Sequence, residues 1–225
     1  GNTREALAVA EELISLQPKN SSHLLRKASI LKRRKERLQC IEAAISINPY
    51  SVQGYLDKAR LLVTWSEREH GQEKIDLVSQ ARQVLDRGVE LDPNWRNPCW
   101  REKFNLLQRQ VVDREKCRIE QEEIIAGLKK QNPFTTRILT MRQIMLLDKD
   151  QPKIFDDLLD DIQEGRERAS LDKVTQFDVI KLKVLAKLDN SGKLEDAIRN
   201  ARSDEKIKNP ALASTVASIL REKFG

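Results

Sequence analysis

The sequence has few cysteine and histidine residues, which form the disulfides of small domains and bind structural metal ions. Its 225 residues include three cysteines and two histidines, and aromatic residues make up only 4%. Cys40, Cys99 and Cys117 lie far apart and form no CxxC pair. The sequence therefore argues against a disulfide framework and against a structural zinc site. Reduced thiols are expected instead, as is usual in the cytosol.

The residue patterns of a catalytic centre are also missing. The sequence has no GxxxxGK[ST], GxGxxG, GxSxG or HExxH motif. The first two motifs indicate a phosphate-binding loop, the third a catalytic nucleophile and the fourth a metal site. Two histidines leave little scope for acid–base chemistry near neutral pH. We therefore expect a protein that is not an enzyme and that uses no cofactor and no metal ion.

Long hydrophobic segments are absent as well. No apolar run approaches the ~18 residues of a membrane span, and no secretory signal pattern is visible at the start. These features predict a cytoplasmic protein without membrane contact. A nuclear location stays open, because residues 32–37 contain a short basic run of the kind that also serves as a nuclear address.

Charged and aliphatic residues are what the sequence has in abundance. Charged residues make up 34% of the chain, and the net charge is +6, with the excess of lysine and arginine in the first half. Aliphatic residues recur at the spacing of helical faces, and alternating strand patterns are nearly absent, so we expect about twelve helices in antiparallel pairs. The charge is modest for a protein of this size and allows a phosphate-rich partner without requiring one.

Prolines mark a repeat within this helical chain. Four helical apolar patterns end alike, at Pro18, Pro49, Pro93 and Pro133, because proline cannot continue a helix. An alanine stands ten residues after each of the first two prolines. A bulky residue lies four residues before each alanine, and another lies three residues after it. Such spacing predicts a helical face with a small residue at its centre, where a neighbouring helix can come close.

These patterns resemble the tetratricopeptide repeat family, whose unit is a helix–turn–helix of about 34 residues. The family's first-helix positions fall on Leu24, Ala28 and Leu31, on Tyr55, Ala59 and Leu62, and then on Cys99, Lys103 and Leu106; its second-helix positions fall on Ala81, Leu85, Gly88 and Pro93. Gly1 falls on the family's turn glycine. We therefore expect the chain to begin on the second helix of a repeat and to be cut from a longer protein, with a natural amino-terminal cap as the alternative.

The resemblance implies an all-α fold in which antiparallel helix pairs stack as a right-handed α-solenoid, a TPR-like superhelix. Residues 1–150 are expected to form the TPR-like repeats. Residues 151–225 are expected to form C-terminal helical repeats or capping helices that continue the first part. Within them, "SGKLEDAIRNA" at 191–201 is similar to a second helix of the family.

The family binds polypeptides in a groove lined by first helices, so the resemblance implies a protein-interaction module. Groove positions are basic at the start of the chain and more apolar later. The predicted partner-binding residues are Lys32, Arg33, Arg60, Trp100, Phe104 and Arg137. The partner is expected to be a protein or peptide, with an acidic one favoured. Ser29, Arg60 and Phe104 stand where the family's receptors for acidic C-terminal tails carry asparagine, which argues against that role.

Two alternatives remain open. The chain could bind RNA or DNA through the basic run at 32–37 and the Trp–Arg segment at 95–101, because aromatic residues beside arginines can stack on bases. Such binding would weaken steeply with salt, so the absence of binding at low salt would remove this alternative. The exposed first half-repeat could also mediate self-association. The basic run itself is predicted to form the turn between the two helices of one repeat.

Overall fold

The structure is a computed structural model that describes residues 2–109, 113–132, 135, 138–142, 152–188, 191–202 and 209–224. Within these ranges every regular element is a helix, and residues 138–142 are helical too. The helices with described bounds are α1 (Thr3–Leu16), α2 (Ser21–Ile30), α3 (Arg34–Ile47), α4 (Val52–Ser66), α5 (Gly71–Leu91), α6 (Pro98–Arg109), α7 (Arg114–Gln131), α8 (Pro152–Glu167), α9 (Leu171–Lys187), α10 (Ser191–Ala201) and α11 (Pro210–Phe224).

Consecutive helices pack against each other, as in stacked helix pairs. The connections between α1 and α6 are three to six residues long, and connections this short place neighbouring helices antiparallel. Each of these helices packs against the next, and α4 also packs against α6. The predicted fold class, an all-α solenoid of antiparallel helix pairs, is confirmed.

The chain divides into two compact units, unit 1 (Gly1–Gln121) and unit 2 (Glu122–Gly225). Helix α7 spans this division. In unit 1, α1, α3 and α5 are second helices of repeats, and α2, α4 and α6 are first helices. The sequence placed a domain boundary at residue 150, which lies outside the described residues, and that boundary stays a prediction.

The four repeat prolines end the second helices in the same way. Helices α1, α3, α5 and α7 all end two residues before a repeat proline. The intervening residues Gln17, Asn48 and Asp92 have φ between −131 and −144° and ψ between 68 and 92°. A residue before proline avoids the α region of φ and ψ, because the proline ring would clash with its backbone. The residue before each proline is therefore not helical, and the helix ends at the residue before that one.

The first helices begin with a capping side chain. Asn20 accepts a hydrogen bond from the backbone N–H of Ser22 at the start of α2, and Ser51 accepts one from that of Gly54 at the start of α4. At α6, Asn97 caps and proline takes the first helical position. Such caps satisfy backbone donors that the first turn leaves unpaired. They fix where each first helix starts after its proline.

The basic run at 32–37 differs from its predicted place. Helix α3 begins at Arg34, so only Lys32 and Arg33 belong to the turn, and the prediction is wrong for 34–37. Cations in the first turn oppose the helix dipole. Contacts compensate: the Arg34 guanidinium lies 5.7 Å from the centroid of the Trp65 ring and donates a 3.2 Å hydrogen bond to Glu69. These contacts join the start of α3 to the end of α4 and the turn that follows it.

A repeated lysine–carboxylate pair links three second helices, α1, α3 and α5, to the first helices that follow them. The carboxylate lies seven residues before the repeat proline, and the lysine lies nine or ten residues after it. The three pairs, here named the lysine ladder, are Lys27–Glu11 at 2.8 Å, Lys58–Glu42 at 2.7 Å and Lys103–Asp86 at 2.7 Å. The ladder therefore marks equivalent positions in three successive repeats.

The third rung of the ladder is more enclosed than the second. Lys103 also contacts Glu120 on α7 at 2.9 Å, and the side chains of these two residues are only 15% and 17% exposed. Burial alone would lower the pKa of Lys103, but its hydrogen bonds to Asp86 and Glu120 outweigh burial and raise the pKa. This ammonium group therefore stays charged inside the α5–α6–α7 interface.

The two rungs should differ in their contribution to stability. We expect Lys103→Met to lower the free energy of unfolding by about 1–3 kcal/mol, because it leaves Asp86 without its cationic partner and Glu120 with Arg82 alone in an enclosed place. Lys58→Met, at the equivalent position, should cost about 1 kcal/mol or less, since half-exposed ion pairs contribute little. Urea unfolding of both variants measures this. Equal losses would contradict the account.

Candidate functional site

The register of α6 decides which of its residues face outward. The Tyr55 hydroxyl donates a hydrogen bond to the Pro49 carbonyl at 3.1 Å, and the Trp100 indole N–H donates one to the Pro93 carbonyl at 3.4 Å. Trp100 thus takes the place of Tyr55, and Lys103 takes the place of Lys58 in the lysine ladder. Both contacts put the register of α6 one residue later than the sequence predicted.

The predicted correspondence of Cys99, Lys103 and Leu106 with the family's first-helix positions is therefore wrong by one residue. The connection before α6 has six residues, whereas the connection before α4 has four, and a longer connection shifts the helix face. Trp100, Phe104 and Leu107 stand in those positions instead.

Phe104 consequently points into the core. Its side chain is 0% exposed, like that of the equivalent Ala59, and its backbone carbonyl accepts a hydrogen bond from Gln121 of α7. The prediction that Phe104 contacts a partner is wrong, because no part of its side chain reaches the surface. Its role is to pack α6 against its neighbours.

Arg60 does lie on the surface, but it already has a partner within the chain. Its Nη2 and Nε atoms donate hydrogen bonds of 2.7 and 3.1 Å to one oxygen of Glu102 on α6. The Arg60 side chain is 43% exposed, so water and a ligand can still reach it. This pair holds two first helices side by side and fixes the direction of the guanidinium group.

The register reveals one polar surface, here named the first-helix face. It consists of the residues at three equivalent positions of α2, α4 and α6, and the third position of the first repeat falls on Arg33 in the turn after α2. Each residue is exposed or half-buried, and within a helix the spacing of three and four residues keeps them on one side. The members are Arg26, Asp57 and Glu102; Ser29, Arg60 and Asn105; and Arg33, Thr64 and Arg109. Within α6, polar side chains stand where apolar groove residues were expected.

The turn residues Lys32 and Arg33, here named the basic turn, border this face. Lys32 is exposed, and the side chain of Arg33 is 84% exposed with Glu36 3.1 Å away. Among the described residues Lys32 makes no ion pair. The acidic residues nearby are occupied, because Glu69 holds Arg34 and Glu67 holds Arg109. Positive charge is therefore left over at this end of the first-helix face.

The two segments proposed for nucleic acid lie at opposite ends of the helices of unit 1. The turns after α2 and α4 share one end, where Arg34 contacts Glu69. Trp100 and the segment 95–97 lie at the other end, beside the repeat prolines. Helix α4, with its 15 residues, separates the ends by about 22 Å. The basic turn and the Trp–Arg segment therefore do not form one binding surface.

Of the other predicted site residues, Trp100 is half-buried and its indole N–H is used by the Pro93 carbonyl. Arg137 lies outside the described residues.

Helix α1, the first half-repeat, has two exposed apolar side chains: Val9 is 55% exposed and Leu16 70%. Self-association through this half-repeat stays a prediction.

The three thiols of the chain are weak acids, because burial raises the pKa of each of them. Cys40, Cys99 and Cys117 are free. Burial raises the pKa of Cys99 to about 11, which makes its thiolate scarce at neutral pH and its sulfur a poor nucleophile. In the described parts of the chain, no three histidine, cysteine, aspartate or glutamate side chains cluster as metal ligands would. None of the described helices is both long and apolar enough to cross a membrane.

Unit 2 contains a polar cavity that the sequence did not reveal. It has a volume of about 260 Å³ and lies among α8, α9 and α10. Its polar lining comes from Gln163, Arg166, Asp178, Lys181 and Asn200. These residues stand on three helices and follow no known spacing motif, so only their packing brings them together.

Comparison with known proteins identifies the fold. No family model matches the sequence, and no curated protein matches it significantly. Among solved structures, the chain is similar to the assembly chaperone of RpL4 (Acl4, residues 1–338), with 10% identity over 99% of this chain and 91% of that one and a TM-score of 0.58. Yeast Tom70 gives 15% identity over 98% of this chain and 52% of that one, with a TM-score of 0.49. At this identity the likeness to Acl4 shows a shared helical fold.

The register of α6 can be tested by two neighbouring substitutions. Phe104→Ala should lower the free energy of unfolding by about 3–5 kcal/mol, because it empties a core position. Asn105→Ala should change it by about 0.5 kcal/mol or less, as expected of a surface position. Thermal and urea unfolding give both values. If Phe104→Ala is neutral and Asn105→Ala costly, the assigned register is wrong.

Proposed function

We propose that this chain is a TPR-like protein-interaction module that binds a polypeptide along the first-helix face. The observation that carries this proposal is the face itself: three adjacent first helices present hydrogen-bonding side chains at equivalent positions. Packing against other helices fixes α4 and α6, and the Arg60–Glu102 contact fixes side chains across them. A binding surface that is already ordered loses less entropy when a partner binds.

The charges of the face favour an acidic or strongly polar segment as the partner. Arg26, Lys32 and Arg33 lie towards the α2 side, and among the described residues Arg26 and Lys32 have no carboxylate partner. Positive groups of this kind attract an acidic chain and orient it before contact. The face also carries hydrogen-bond acceptors, the carboxylates of Asp57, Glu67 and Glu102. A partner that has hydrogen-bond donors next to its acidic residues therefore also fits this face.

The similarity to Acl4 supports a role in holding a polypeptide. That protein is described as an assembly chaperone of RpL4, so a helical protein of this fold serves as a partner for another protein. The present chain would act in the same general way, as a scaffold or sensor segment of a larger cytosolic protein without catalysis of its own. The identity of the partner is not transferred with the fold.

Nucleic acid is less well supported than a polypeptide. Trp65 lies close to the basic turn, where Arg34 lies over its ring and Glu69 accepts a hydrogen bond from its indole N–H. A ring that is covered in this way is not available to stack on a base. The Trp–Arg segment lies at the other end of the helices, so phosphate contacts and stacking would not occur together.

Site-specific photo-crosslinking tests the proposed face. A photoreactive residue at Thr64, on the first-helix face, should capture a defined set of polypeptides in the cytosol. The same residue at Gln83, exposed on the second helix α5, should not capture that set. Identical products from both positions would contradict the proposal.

Charge variants give a matched control for the same experiment. Arg26→Glu with Arg33→Glu should reduce the Thr64 products about tenfold or more, since each reversal turns an attraction into a repulsion. Lys74→Glu with Lys116→Glu changes the net charge equally but alters exposed residues of second helices. If both pairs reduce the products equally, net charge and not the face governs binding.

A further inference from the structure

The cavity of unit 2 has the chemistry of a small anion site. Helices α8 and α10 both line it, and α8 and α10 each pack against α9. Leu182, Ala197 and Ala201 contribute its apolar part. Small residues on α10 leave room beside the polar groups of α8 and α9, so the cavity is built by the packing of three helices.

The lining contains two cations and one carboxylate. The Nε atom of Arg166 donates a 2.8 Å hydrogen bond to Asp178. The Lys181 ammonium group lies 3.3 Å from the side-chain oxygen of Gln163, and among the described residues no carboxylate lies within ion-pair distance of it. One positive charge is therefore left without a balancing charge in the cavity.

Hydrogen-bond donors accompany this excess charge. Arg166 uses Nε for Asp178, and its two terminal nitrogens make no hydrogen bond with described residues. A guanidinium group offers donors in a planar fork that matches the two oxygens of a carboxylate. The Arg166 side chain is 29% exposed and that of Asp178 15%, so the surrounding protein screens the charges less than open water does.

We infer that this cavity binds the carboxylate of a glutamate or aspartate side chain of a polypeptide partner. A monoanion brings the cavity to neutrality, because it adds one negative charge to two cations and Asp178. A phosphate dianion would leave the cavity negative and would bring its oxygens towards Asp178. The charge balance therefore selects a carboxylate over a phosphate dianion.

The inference deepens the proposed function and rests on it for the source of the carboxylate. Free dicarboxylic acids carry the same group, but they would also bring a second charge into a cavity that balances only one. A side chain of a bound polypeptide brings a single carboxylate, and the rest of the partner stays outside. The first-helix face and this cavity would then contact separate parts of an acidic partner.

The test uses the full chain and two blocked pentapeptides. Each is acetylated and amidated, with a central glutamate or a central glutamine among alanines, so the only charge is the side chain. We expect the glutamate peptide to shift backbone NMR signals of α8, α9 and α10, and the glutamine peptide to bind about tenfold more weakly or not at all. Equal binding of the two peptides would overturn the inference.

Variants separate the cavity from general charge effects. Lys181→Met should weaken the glutamate peptide about tenfold, whereas Lys183→Met, an exposed lysine on the same helix, should leave it unchanged. Arg166→Lys keeps the charge beside Asp178 but loses the fork, and it too should weaken binding. It serves as the second variant if Lys181→Met fails to fold. Equal effects at Lys181 and Lys183 would show nonspecific attraction and contradict the site.

Competition identifies the source of the carboxylate. Glutarate should displace the peptide less effectively than unlabelled peptide does, and inorganic phosphate should not displace it. If glutarate binds more tightly than the glutamate peptide, the cavity is a site for a free dicarboxylic acid. If phosphate binds more tightly than the peptide, the assignment of the cavity to a carboxylate is wrong. Failure of this titration leaves crosslinking at Thr64 intact, whereas failure at Thr64 leaves the titration intact, so the two proposals fail separately.

Discussion

The close approach of α5 to α6 at Gly88 is the constraint on which unit 1 depends most. A Cβ atom at Gly88 would lie 2.6 Å from the sulfur of Cys99 and 3.4 Å from the Cβ of Tyr55. Asn97 completes the joint: it is 1% exposed, it donates to the carbonyls of Gly88 and Asp92, and it caps α6. Because a buried amide with all these bonds has one arrangement, the joint sets the start of α6.

Everything further along α6 follows from that start. Since the first residue of the helix is fixed, the angle of 100° per residue turns Phe104 inward and Asn105 outward. Lys103 then reaches Asp86 and Glu120, and Glu102 reaches Arg60 on α4. The polar residues that α6 contributes to the first-helix face are thus a consequence of the contact between the Gly88 backbone and the Cys99 side chain at the other end of the helix.

Much of the fold could be predicted because its signals are local. A proline stops a helix through its own ring, and Asn97 with the following proline starts one, so the ends of α5 and α6 follow from a few neighbouring residues. The inward direction of Phe104 could not be predicted in this way, because it depends on the length of a connection and on contacts across helices. The cavity around Lys181 depends on three helices at once, and the sequence gives no sign of it.

Double-mutant unfolding at Gly88 and Cys99 tests the central claim most directly. Alanine favours a helix by up to about 1 kcal/mol over glycine, so Gly127→Ala, where a Cβ meets nothing within 4 Å, should stabilise the chain. Gly88→Ala should instead lower the free energy of unfolding by about 1–3 kcal/mol through overpacking. In the Cys99→Ala background that loss should shrink or vanish, because the opposing sulfur is gone. If Gly88→Ala stabilises the chain as Gly127→Ala does, with no coupling to Cys99, the close approach is not what sets α6 in place.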